Sequence, residues 1–346
     1  MGTVDLRFRS ILKFRRKWLI AFTLLPTLLL SACGGTSASS SSSGRVYTIA
    51  FVPKLVGIPY FTAMYNGMLE AQKRFGHMKI IYEGPTTASV SGQDEYVATL
   101  IAQHVNAVGV SANSPTSLCN LVTKAEKEGI VFYASDSDVS CPNNELWVEQ
   151  ARAKDIGYAA VDQMASQIHG SGDVAIISAG STATNLNTWI GYMKQRLATK
   201  YPQLHLLPIQ YAGESITTTE QIAARLIASD PNLKGMIGVA STNVPGIAQA
   251  VLAAHKVGQI AISGETDPNT IRPYIEDGVV KSVVLWNPVN LGYLTAWGVL
   301  QILEHHPFHK YNNVPGLGRI EYVPSRHMLL LGPPLIITKA NVNLNF

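Results

Sequence analysis

A chain of 346 residues exceeds one small core and suits two domains of ordinary size beside an export segment. Hydrophobic residues make up 47% and charged residues only 14%, which excludes disorder over most of the length. Residues 1–32 carry +5 of the net +4 (Arg7, Arg9, Lys13, Arg15, Arg16 and Lys17 against Asp5), leaving −1 for the remainder, a balance that argues against binding a phosphate backbone.

The first element is a basic stretch ending at Lys17, followed by an apolar run from Trp18 to Ala32. That run is shorter than the roughly 20 residues of a spanning helix and reads as an export signal over 1–32. It closes on Leu30-Ser31-Ala32-Cys33-Gly34, which resembles the lipobox of bacterial lipoproteins. The resemblance implies lipidation of Cys33 and a lipid anchor in the membrane. An uncleaved anchor and a plain secretory signal are the alternatives. Residues 33–45 are mostly serine and form a tether that buries no core. With Cys33 taken by lipid, Cys119 and Cys141 are an even pair, which in an exported chain suggests a disulfide; two buried free thiols are the alternative.

From Tyr47 the pattern alternates strand and helix. Strands are expected at Tyr47–Val52, Lys79–Tyr82, Ala107–Ser111 and Ile130–Ala134. Helices are expected at Phe61–Phe75, where Met64, Met68, Ala71 and Phe75 share one face, at Asp94–Gln103 and at Pro115–Glu128. The rhythm restarts near Asp155, with helices at Ile156–Gln167, Thr188–Lys200, Thr218–Ile227, Val244–His255 and Pro273–Asp277. The matching strands are Val174–Ser178, Leu204–Tyr211, Gly235–Val239, Ile260–Ser263 and Val279–Leu285. A long helix, Asn290–His305, and a last strand, Leu335–Thr338, complete the chain. Alternation of this kind predicts an α/β fold with parallel sheets and a ligand site outside the strand C-termini. No short internal repeat is visible. His305, His306 and His309 have some metal-ligand spacing but no cysteine nearby, and neither a metal nor a cofactor is expected.

Several stretches together resemble type I periplasmic sugar-binding proteins, most closely the autoinducer-2-binding and rhamnose-binding branch. They are Ile49 to Gly57, Tyr82 to Thr86, Ser89 to Gln93, Asp136-Ser137-Asp138, Pro268-Asn269 with Arg272-Pro273-Tyr274, and Leu285-Trp286. The resemblance runs from about Tyr47 to Phe346. It implies two Rossmann-like lobes with parallel sheets joined by a three-segment hinge: residues 46–148 plus 287–322 in the first lobe, 149–286 plus 323–346 in the second. It also implies a small sugar-like ligand, ABC permease subunits as partners, a monomer, and hinge closure around the ligand. Cys119 and Cys141 fall near positions where autoinducer-2 binders carry cysteines.

The resemblance makes Lys54 a hydroxyl donor and Asp136 a bidentate acceptor, each just past a strand; a solvated lysine and a turn or cap aspartate are the plainer readings. Asp138 and Asp267 are further acids at strand exits, each as well suited to a turn. Tyr60 or Phe61 stacks on the ligand or packs inward, and Trp286 with Asn287 lies at the cleft or packs the hinge. In the second lobe Asn185-Leu186 stands where autoinducer-2 binders carry Asp-Gln, and Val239 and Ser241 where they carry proline and alanine. Leu186 suits a ring carbon or methyl group and so favours a neutral sugar, such as a deoxy sugar or pentose, over autoinducer-2. Catalysis lacks a nucleophile–base arrangement, a phosphate loop or a metal motif. A LacI-type repressor would need a helix-turn-helix where this chain has its export signal. A ligand-presenting sensory protein shares the same features as the importer component. The anchor has a direct test: Cys33→Ser abolishes incorporation of labelled fatty acid and releases the protein from the membrane fraction, and unlabelled wild-type protein would refute lipidation.

Overall fold

The computed structural model describes residues 45–344. The export segment, Cys33 and the tether up to Gly44 lie outside the described residues. The chain opens with β1 (Tyr47–Val52), α1 (Pro59–Phe75), β2 (Met78–Tyr82), α2 (Val90–Ala102) and β3 (Ala107–Val110). It continues through α3 (Cys119–Lys127), β4 (Val131–Ser135) and β5 (Leu146–Glu149). Continuous apolar runs such as Ile49–Val52 are fully buried, as strands covered on both faces by helices must be. α1 starts where Pro59 presets the helical φ at its first turn and stops at Gly76, whose φ of 73° closes the C-terminus.

The second lobe comprises α4 (Ala153–Ala165), β6 (Gly172–Ser178), α5 (Thr184–Lys200), β7 (Leu204–Leu206), β8 (Gln210–Tyr211), α6 (Ile216–Ser229), β9 (Leu233–Gly238), α7 (Asn243–Ala253), β10 (Ala261–Gly264), α8 (Pro268–Glu276) and β11 (Ser282–Leu285). α9 (Pro288–Leu303) then packs on the first lobe against α1. Last come β12 (Tyr311–Val314), β13 (Gly318–Val323), β14 (Met328–Leu330) and β15 (Leu335–Thr338).

The first sheet has the order β12-β13-β14-β5-β4-β3-β1-β2. Its β14-to-β2 portion is parallel, while β12, β13 and β14 pair antiparallel. The second sheet, β10-β9-β6-β7 with β8 also on β6, is parallel. β11 pairs antiparallel with β15, and a bridge from Glu265 to Val284 ties that ribbon to the end of β10. The α/β alternation and the parallel sheets read from the sequence are present, with antiparallel pairing added, among the described residues, only at the β12–β14 edge of the first sheet and in the β11–β15 ribbon. The expected return to the second lobe at residue 323 comes later, because Met328–Leu330 pairs with Trp147–Glu149 in the first sheet. The expected strand Leu204–Tyr211 is two short strands, since Pro208 between them has no N–H to donate to a ladder. The helix expected from Pro115 begins at Cys119, after a turn in which the Ser114 hydroxyl accepts from the backbone N–H groups of Thr116 and Ser117.

Three short segments therefore join the lobes: residues 150–152, residues 286–287 and residues 331–334. Within the first lobe, α1 and α9 meet backbone to backbone. A Cβ at Gly67 would run into the Val289 carbonyl oxygen, and one at Gly292 into that of Met64. Cys119 and Cys141 form a disulfide that pins the loop after β4 to α3 across 22 residues of sequence. Gly292→Ala should lower unfolding stability by about 1–3 kcal/mol or more, because the intruding atom meets backbone rather than a movable side chain. Reduction of the disulfide should remove roughly 3 kcal/mol in the chain-entropy view. Urea titration of wild type, the variant and the reduced protein measures both; unchanged midpoints would contradict the packing account.

Candidate functional site

The site grows from strand ends. Gln93, buried on α2, donates to the carbonyls of Val52, Pro53 and Ser111 at 3.3, 3.0 and 2.8 Å and accepts from the Asn113 N–H at 2.9 Å. Asn113 in turn donates to the Lys54 carbonyl at 2.9 Å. One buried amide thus fixes the exits of β1 and β3, and with them Lys54 and Ser111. Asp136 follows β4 with φ of +68°, a left-handed conformation that aspartate tolerates better than most residues.

The Asp136 carboxylate is held from five directions. Ser111 Oγ donates at 2.6 Å, Tyr60 OH at 3.1 Å, and Gln150 Nε2 and Asn185 Nδ2 at 3.2 Å each. Lys54 Nζ forms an ion pair with it at 3.6 Å and donates to Asn185 Oδ1 at 2.9 Å. Asn185 stands at the start of α5 in the second lobe, so its two bonds cross between lobes. Thr182 adds a third, donating to the Asn113 carbonyl at 2.8 Å. Trp286, on a joining segment, donates through Nε1 to Tyr60 OH at 3.0 Å and meets the Tyr60 and Trp189 rings edge-on. Burial, then the nearby Asp136 charge, holds the Tyr60 phenol well above its ordinary range, so it stays a donor.

These groups enclose an inner cavity of about 20 Å³, room for about one water molecule. Lys54, Tyr60, Phe61, Asp136, Asn185, Leu186, Ser241 and Trp286, all singled out from the sequence, line it. Ile58, Trp189, Ala240, Glu214 and Glu265 line it too and were not singled out from the sequence.

Four expected site residues are placed elsewhere. Asp267 caps α8: one oxygen accepts from the Thr270 N–H at 2.8 Å and the other from its hydroxyl at 2.6 Å. Asn287 caps α9, accepting from the Asn290 N–H at 2.9 Å. Val239 is wholly buried, and its neighbours Ala240 and Ser241 face the cavity instead. Asp138 accepts from the Val139 N–H and from Asn144 Nδ2, both at 2.8 Å, and faces a separate outer chamber. That chamber, about 520 Å³, lies between the lobes beside the inner cavity and is also lined by Trp147, Glu149, Gln150, Trp189 and Arg326. Of the histidines with ligand-like spacing, His306 pairs with Glu304 at 3.6 Å.

Two parallel-sheet lobes facing a polar, aromatic-walled cleft define a cleft-binding α/β protein. The chain belongs to the periplasmic binding protein domain family, whose model matches residues 49–307. It is 24% identical over 268 residues to the D-allose-binding periplasmic protein of Escherichia coli (strain K12), covering 73% of this chain and 83% of that protein. It is similar in structure to an ABC transporter solute-binding protein from Clostridium phytofermentas with bound L-rhamnose: TM-score 0.81, 25% identity, 87% of this chain and 98% of that one. LsrB from Clostridium saccharobutylicum in complex with AI-2 gives a TM-score of 0.82 at 21% identity, covering 86% of this chain and 100% of that one, a likeness of fold.

The outer chamber carries a pH signature. Burial raises Glu149 to about 7, against the opposing pull of Arg326, the Ala153 N–H and Arg152; Asp138 nearby adds to the rise. Burial raises Asp138 to about 6. An acid raised in the folded state binds its proton more tightly there than in the unfolded chain. Stability should therefore fall as pH rises from about 4.5 to about 7. Glu149→Gln should remove the part of that slope that Glu149 carries and raise stability near pH 7 by roughly 1–3 kcal/mol. Urea unfolding across this pH range checks it; a parallel slope in wild type and variant would refute the assignment.

Proposed function

We propose that this chain is the ligand-capturing component of an ABC importer and that it takes one small sugar between its lobes. The observation that carries this reading is the convergence of Lys54, Asp136, Asn185 and Trp286, from both lobes and a joining segment, on one buried cavity. Hydroxyl-rich rings need paired acceptors and donors together with an aromatic wall, and the cavity offers each. The family membership supports transport rather than chemical conversion, and relatives described as binding allose or L-rhamnose support a sugar as the ligand.

Capture follows from the bonds between the lobes. Lys54 and Asp136 hold Asn185 directly when the cleft is shut. A sugar placed between them replaces those bonds with its own hydroxyls and lets the lobes close on it, so ligand and closure stabilise each other. The closed surface is what permease subunits would recognise. The exported chain is held by lipid on Cys33 at the outer face of the cytoplasmic membrane, with residues 33–45 as tether, and acts as a monomer. Leu186 at the cavity wall disfavours the autoinducer-2 alternative, since it has no polar group to offer.

The test is a thermal-shift screen against pentoses, hexoses, deoxy sugars, amino sugars, polyols and autoinducer-2, followed by calorimetry on each hit. A ligand of the folded state raises the midpoint. Lys54→Ala and Asp136→Asn should each weaken a hit by roughly tenfold or more, because partners are left unpaired in a dry cleft. Circular dichroism controls for folding. A folded protein that binds no sugar, or variants that bind as tightly as wild type, would overturn the reading.

A further inference from the structure

The inner cavity holds more carboxyl groups than its single amine can pair. Asp136, Glu214 and Glu265 face it with Lys54 as the one cation among its lining residues. Lys54 is already committed, bonded to Asn185 and paired with Asp136. The Asp136 oxygens are fully occupied by the donors described above. Glu214 receives one hydrogen bond, from the Thr242 hydroxyl at 3.2 Å. Glu265 follows β10 and is only 7% exposed, yet its Oε1 is buried without a hydrogen-bond partner. Among the described residues, no lysine, arginine or histidine forms an ion pair with either glutamate.

An unpaired carboxylate in such a place is costly, so it takes up a proton or meets a cation. Around Glu265 stand Asp136 and Tyr60 from the first lobe and Glu214 and Asp267 from the second, with only Lys54 opposing them. Burial, followed by the three neighbouring acids, raises Glu265 well above the ordinary carboxylate range, and burial first raises Glu214 as well. A neutral hydroxyl can hydrogen-bond to these groups but cannot cancel their charge. An ammonium group does both, with three donors fixed on one atom.

We propose that the cleft selects a sugar bearing a protonated amine, the ammonium resting between Glu265 and Glu214 while ring hydroxyls meet Lys54, Asp136 and Asn185. The inference rests on the sugar-capture reading above and narrows it, departing from the neutral sugar that Leu186 alone suggests. No covalent bond changes: the amine arrives protonated, and Glu265 gives its proton to solvent as the ion pair forms. The two ligand classes therefore respond to pH in opposite directions. A neutral sugar binds best while Glu265 is protonated and weakens as pH rises. An amino sugar strengthens as pH rises and Glu265 ionises, as long as its own amine keeps its proton.

The test is calorimetry of the full chain with matched pairs: D-glucosamine and D-glucose, D-galactosamine and D-galactose, D-mannosamine and D-mannose. Each is titrated at about pH 5.5 and about pH 7, below the ordinary range of an amine, in two buffers of different ionisation heat. The expected result is at least one amino sugar binding roughly tenfold or more tightly than its neutral parent at the higher pH, with proton release. Glu265→Gln should abolish that preference and the proton release. The wild-type comparison stands even if the variant fails to fold. Neutral sugars that bind as well as or better than every amino sugar would overturn this inference and leave sugar capture intact. A preference unchanged in a folded Glu265→Gln protein would also overturn it. No binding to any sugar of either class would overturn both.

Discussion

The Asp136 carboxylate organises the molecule. A carboxylate that is 2% exposed has lost its water and must be compensated by protein. Ser111, Tyr60, Gln150, Asn185 and Lys54 supply that compensation from four strand or helix ends and from one of the segments joining the lobes. Each donor needs its own support. Gln93 fixes the turns that carry Ser111 and Lys54, and Trp286 holds the Tyr60 hydroxyl. The cleft is therefore one connected polar network, in which a side chain lost on one lobe leaves partners on the other unsatisfied.

That network lies between two lobes that are built differently. In the first lobe α1 and α9 touch through backbone at Gly67 and Gly292, a contact with no side-chain slack. The second lobe has its five-stranded sheet, to which the β11–β15 ribbon is joined by a single bridge. Three segments join the lobes. Gln150, on one of them, donates directly to Asp136, and Trp286, on another, reaches it through Tyr60. The cleft and its joining segments thus share hydrogen bonds, so whatever rearranges the carboxylate also acts on those segments.

Most of the architecture was legible in the sequence, because long apolar runs alternating with helical spacing leave few α/β arrangements open. Three of the strands that escaped notice, Leu146–Glu149, Tyr311–Val314 and Met328–Leu330, have three or four residues, too brief to show a period. Gly318–Val323 has six, and its Ile320, Tyr322 and Val323 were a strand signal left unread. Lys54 and Asp136 were legible as polar residues at strand exits. Asp267 and Asn287 share that position but are followed by proline, and Asp-Pro and Asn-Pro are the sequence marks of an N-cap with proline at the first helical turn. Glu265, two residues before Asp267, also follows a strand end and faces the cavity. Glu214 had no comparable mark: its place in the cleft comes from the β8–α6 loop, whose path is set by tertiary packing.

The hairpin of β12 and β13 has a consequence for how copies of this chain meet. Without it, β14, buried along its whole length beside β5, would stand as the outermost strand and offer a row of free peptide groups to any passing chain. The hairpin moves that exposed border to β12, a four-residue strand with two buried positions. There Arg319 lies over the Tyr311 ring at 3.7 Å and Lys310 at 5.6 Å, placing positive charge along the border. Two such borders repel each other and are too short for a long ladder. The appended strands thus guard the molecule against sheet-to-sheet aggregation when copies of it meet.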